Sequence, residues 1–139
     1  MRAQLLGLLL LLGATPEAVG TRFAVVVPQD SPVHTLSQDE IAAIFLAKAS
    51  HYADGSRAAP MEVTDSGLRS EFYRIISGKS LAQLNSYWTT LIFTGKGRPP
   101  KQFSDHRTLV EMLRRNPQAI SYVPVDAVSD GLRVIHTVD

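Results

Sequence analysis

Five residues at the end of a β-branched run carry the chemistry most worth testing: Thr64, Asp65, Ser66, Gly67 and Arg69. The run Pro60 to Thr64 reads as a strand, small polar residues follow, and an amphipathic segment begins at once. That pattern predicts a strand-to-helix turn. A helix N-terminus exposes unpaired N–H groups and a partial positive charge, so such a turn can hold a phosphate, sulfate or carboxylate. Hydroxyls of Thr64 and Ser66 would add donors. The same residue types also cap helices with no ligand present, and Asp65 suits capping better than anion contact. Arg69, in the first helical turn, either faces an anion or is solvated.

Other polar groups form no constellation that points to catalysis. His34, His51, His106 and His136 are scattered, and none pairs at i, i+4 with an acidic third ligand, which argues against zinc. Asp65-Ser66-Gly67-Leu68 is not a G-x-S-x-G nucleophile elbow. No enzymatic activity, metal or cofactor is expected. Tyr87-Trp88 could form an aromatic platform, but Trp88 shares a helical face with Leu84, Leu91 and Ile92, which predicts core packing. Lys96, Arg98 and Lys101 make a basic loop beside Pro99-Pro100, either a solvated loop or a docking edge.

Regular elements must hold the turn in place. Phe23 to Val27 is a continuous apolar run, the mark of a strand covered on both faces. Ser37 with Glu40 forms a capping box, which predicts a helix from Gln38 to Leu46. Lys48 to Ala59 reads as a loop turning at Asp54-Gly55, and Pro60 to Thr64 as the second strand. Leu68, Phe72, Ile75 and Ile76 give the next helix its buried stripe, ended by Gly78. Ser80 caps a third helix that stops at Thr94-Gly95. Asp105 caps a fourth, with Leu109, Met112 and Leu113 facing inward. Ala119 to Val123 and Leu132 to Val138 complete four strands. Strands alternating with helices predict an α/β three-layer sandwich with a mostly parallel central sheet.

The chain's 139 residues, 45% of them hydrophobic, suffice for one core. A net charge of +1 with interspersed signs leaves no footprint for nucleic acid. Residues 1–20 differ in kind. Arg2 precedes an apolar run from Leu5 to Leu12, and Ala18-Val19-Gly20 offers a small-residue cleavage site. This predicts a cleaved secretory signal peptide, because a membrane span needs about 20 apolar residues. Residues 21–139 then form a single domain that does not span the membrane. Export permits disulfides, yet the chain has no cysteine. Lipid attachment at an N-terminal cysteine is thereby excluded, so the expected location is the periplasm.

Several segments together resemble a known family. Leu36-Ser37, Ile41, Ile44-Phe45, Tyr52 and Asp54-Gly55 follow the order of the "LS-x-E-x-x-x-IF-x-G-K-x-x-x-W-x-D-G" stretch of periplasmic phosphate-binding proteins of ABC importers. Phe72, Ser80, Tyr87-Trp88, Phe93-Thr94-Gly95 and Pro99-Pro100 continue it, and Ala119 to Val123 resembles the family strand "AIGYV". The resemblance runs from Phe23 to Val138. It implies one lobe of a type 2 periplasmic-binding protein, a phosphate or similar oxyanion ligand, and an ABC permease or other envelope partner. The family turn "R-S-D-G-S-G-T" departs here. Ser66 and Gly67 keep its "SG", but Glu62 stands at the Arg position, Thr64 at the Asp, Asp65 at the Gly and Leu68 at the Thr.

Two functions follow as expectations. The first is an exported, non-catalytic module that binds phosphate or a similar oxyanion weakly at Thr64–Gly67. The second is a ligand-free interaction or assembly protein of the cell envelope that kept the fold. A homodimer placing two turns opposite each other is a third arrangement, since a single lobe leaves one face without its partner.

Overall fold

The computed structural model describes residues 21–139, so the expected signal peptide lies outside the described residues. The elements run β1 (Phe23–Pro28), α1 (Gln38–Phe45), β2 (Ala59–Val63), α2 (Ser66–Ser77), α3 (Leu81–Phe93), β3 (Lys101–Phe103), α4 (His106–Arg115), β4 (Ala119–Pro124) and β5 (Leu132–Val138), with a short 3₁₀ turn before β5. They form one five-stranded sheet in the order β3-β2-β4-β1-β5. β2 pairs in parallel with β3 and β4, while β1 runs antiparallel to both β4 and β5. Four strands therefore point one way and β1 alone runs against them. This is the expected three-layer α/β sandwich.

Side-chain alternation along the strands builds two cores. Phe23, Val25 and Val27 of β1, with Ile120 and Tyr122 of β4, face α1, α2 and α3. Ala24, Val26, Met61, Val63 and Val123 face α4 through Leu109, Val110 and Leu113. β1 is buried at every position, which is why its sequence shows no alternation. Residues 21–139 supply the five strands and the side chains of both clusters described here. Aromatic rings tie the larger core together. Phe72 stacks on Tyr122 with centroids 3.6 Å apart, and Phe23 and Phe45 meet Phe72 edge-on.

Two expectations need correcting. A fifth strand, β3, starts at Lys101, the last cation of the basic loop, where the sequence shows no apolar run; pairing with β2 makes it a strand. Ile92 does not face the core. It is 57% exposed, because α3 packs through Leu84 and Trp88 and leaves Ile92 and Phe93 of its last turn uncovered.

Candidate functional site

The turn predicted from sequence is present. β2 ends at Val63 and α2 starts at Ser66, with Asp65 as its N-cap. The Leu68 N–H donates to the Asp65 carboxylate at 2.9 Å, and the Thr64 N–H donates to the Phe103 carbonyl of the neighbouring strand. Thr64, Asp65, Ser66 and Gly67 are all exposed. The N–H groups of Ser66 and Gly67, at the first two helical positions, have no partner within the helix. A second helix N-terminus lies nearby. α4 is capped by Asp105, whose carboxylate accepts from the Thr108 N–H at 2.7 Å. A cavity of about 180 Å³ between the two helix starts is lined by Asp65, Leu68, Asp105, His106 and Tyr122. It sits outside the carboxyl ends of the parallel strands, where ligands of open α/β sheets bind. The two capping carboxylates beside it lower its attraction for an anion. Hydrogen bonds from Thr108 hold Asp105 below the usual carboxylate range.

Arg69 points elsewhere. Its Nε donates to Glu62 Oε2 at 3.0 Å, and only 15% of its side chain is exposed. Glu62 is fully buried on β2, on the same face as α2. Three more donors converge on its carboxylate. The Tyr73 hydroxyl reaches Oε1 at 2.8 Å, the Tyr122 hydroxyl reaches Oε1 at 3.1 Å, and Gln102 Nε2 reaches Oε2 at 2.9 Å. The Glu at the family's Arg position thus neither faces the turn nor stands unpaired. It is the centre of a buried cradle built from α2, β3 and β4. Tyr73 and Tyr122 keep their protons far above the usual phenol range, first through burial and then through the neighbouring Glu62 charge.

Sequence reasoning found the turn but missed Tyr73, Gln102 and Tyr122 as polar partners. One signal was available: Glu62 lies between Met61 and Val63 in a strand buried on both sides, where an acidic side chain must find donors. Trp88 is buried as expected. Among the described residues no group of three histidine or acidic side chains could hold a metal, and no helix is long and apolar enough to cross a membrane.

No protein-family model and no curated protein matches the chain by sequence. Solved structures do match its fold. A protein from Clostridium perfringens, described as a phosphate ABC transporter substrate-binding protein with bound phosphate, superposes with a TM-score of 0.63 at 16% identity, covering 83% of this chain and 45% of its own. An ABC-type phosphate transport receptor from Vibrio cholerae gives 0.64 at 16% identity, covering 84% of this chain and 46% of its own. A protein from Planctomyces limnophilus DSM 3776, described as a phosphate binding protein, gives 0.61 at 16% identity, covering 84% and 42%. The chain therefore has the fold of one lobe of such proteins and spans less than half of their length.

Proposed function

We propose that this chain is an exported, non-catalytic binding module that holds phosphate or a similar small oxyanion weakly at the start of α2. One observation carries the reading: the turn combines exposed hydroxyls of Thr64 and Ser66 with the free N–H groups of Ser66 and Gly67, at the ligand-binding end of the parallel strands. Asp65 and the commitment of Arg69 to Glu62 keep the affinity low. An ABC permease or another envelope protein is the partner this reading implies.

Thermal-shift titration of residues 21–139 with phosphate, then sulfate, tests it at fixed ionic strength. Binding to the native state alone adds about 2.7 kcal/mol at one hundred times Kd. A saturable shift selective for phosphate is expected, abolished by Thr64→Ala with Ser66→Ala. No shift at millimolar phosphate, or the same shift in the double variant, would remove the anion seat. The second reading is an interaction protein without a ligand, with which the pairing of Arg69 to Glu62 is compatible. It requires no phosphate shift and a complex with an envelope protein.

A further inference from the structure

A larger groove, about 920 Å³, opens at the other end of β2. Its walls are the segment after α1, the approach to β2 and the loop between α3 and β3. Lys48, Arg57, Lys96 and Arg98 line it, and no acidic side chain does. All four are exposed, and none forms an ion pair among the described residues. Solvated Lys and Arg side chains are ordinary. Four converging on one concavity with no counter-charge are not, because each raises the electrostatic cost of the others.

The walls are fixed before anything binds. Ala47 adopts a left-handed conformation at φ +58°, rare for a residue with a side chain. Hydrogen bonds hold it there: the Lys48 and Ala49 N–H groups both donate to the Ala43 carbonyl, and the Tyr87 hydroxyl donates to the Leu46 carbonyl. Opposite, Gly97 approaches so closely that a Cβ there would sit 3.0 Å from Ala47 Cβ and 3.1 Å from Leu91 Cδ2. The two basic loops are thus locked against each other. Ile92 lines the groove, 57% exposed, and Phe93 follows it at 91%.

We propose that this groove docks the chain onto anionic phospholipid headgroups, with Ile92 and Phe93 entering the interfacial layer. The cations supply the complement to phosphodiester groups, and guanidinium can contact phosphate bidentately. A basic patch beside exposed apolar side chains suits the headgroup boundary of a bilayer. A small soluble anion would use the cations but leave Phe93 in water. The proposal does not rest on the oxyanion seat at Thr64–Gly67, which lies at the opposite end of β2.

Flotation of residues 21–139 with vesicles tests it, using an equimolar mixture of phosphatidylglycerol and phosphatidylcholine against phosphatidylcholine alone. Binding is expected only with the anionic lipid and falls as salt rises. Each cation replaced by Ser should lower partitioning about fivefold. Phe93→Ser should weaken binding while leaving the salt dependence unchanged, and Thr64→Ala with Ser66→Ala should float like the unaltered protein. Circular dichroism checks that each variant is folded. Equal binding to both vesicle types, no binding to either, or full binding by the variant lacking all four cations would overturn the proposal. Saturable binding of glycerol phosphate without flotation would assign the groove to a soluble phosphate ester instead. Binding of oligoglutamate without flotation would assign it to an acidic protein segment. Either result rejects lipid docking.

Discussion

Glu62 sets the character of this chain. A buried carboxylate is tolerated only when charge and hydrogen bonds meet it. Here one guanidinium, two phenols and one amide do so, from three elements beside its own strand. In effect the side chain stands where a small carboxylate ligand would bind. Removing it should therefore expose the donors' need for an anion. Glu62→Ala is expected to lose about 3–5 kcal/mol in urea denaturation, because Arg69 stays buried without a partner. Formate should return part of that loss saturably. Two of the donors, Arg69 and Gln102, also line an open groove of about 520 Å³ beside α3, the side from which formate would approach. Glu62→Gln keeps the shape but sets N–H groups against donors, and should cost about 1–3 kcal/mol. Unaltered stability in Glu62→Gln would show that the cradle needs no anion. The oddity was visible in the sequence as an acid inside an apolar strand. Its partners were not, because Gln102 and Tyr122 lie 40 and 60 residues away and meet it only through strand pairing.

The helices are the elements most nearly legible in advance, because their starts are local chemistry. Ser37 and Ser80 each accept a hydrogen bond from the residue three positions on, and Glu40 and Gln83 reciprocate. Ser80→Ala should cost about 1 kcal/mol in thermal unfolding, since α3 then starts with an unpaired N–H. Gly78 ends α2 at φ +70°, a conformation that costs a side-chain-bearing residue about 1–2 kcal/mol. Gly78→Ala should show that loss. Strand direction is a different matter. A fully buried strand is apolar whichever way it runs, so the reversal of β1 leaves no trace in Phe23 to Val27. β3 was illegible for another reason: its three residues are largely exposed, and pairing with β2 alone defines them. The candidate turn was readable because its caps are local. The basic loop was readable as charge, but its facing wall, Lys48 and Arg57, is brought to it only by the fold.

The molecule as a whole is built around aromatic hydroxyls that must stay protonated, and this predicts how it fails in alkali. Of the chain's four tyrosines, Tyr52, Tyr73 and Tyr122 are buried. Burial raises all three above the usual phenol range, and the Glu62 charge raises Tyr73 and Tyr122 further. In the unfolded chain the same phenols ionise near pH 10. Below that pH both states hold the protons and stability is unaffected. Above it the unfolded state has released them and the folded state has not, so stability falls as pH rises. Tyr73 and Tyr122 together give a slope of about 3 kcal/mol per pH unit. Their tyrosinate absorbance should therefore appear in the same cooperative step as the loss of helical circular dichroism. Tyr122→Phe should reduce the slope by about 1.4 kcal/mol per pH unit. Full tyrosinate absorbance from a chain still folded by circular dichroism would count against this prediction. It would mean that hydroxide and water reach the Glu62 cradle without unfolding, and that the centre of the lobe is an open site rather than one closed by its own side chain.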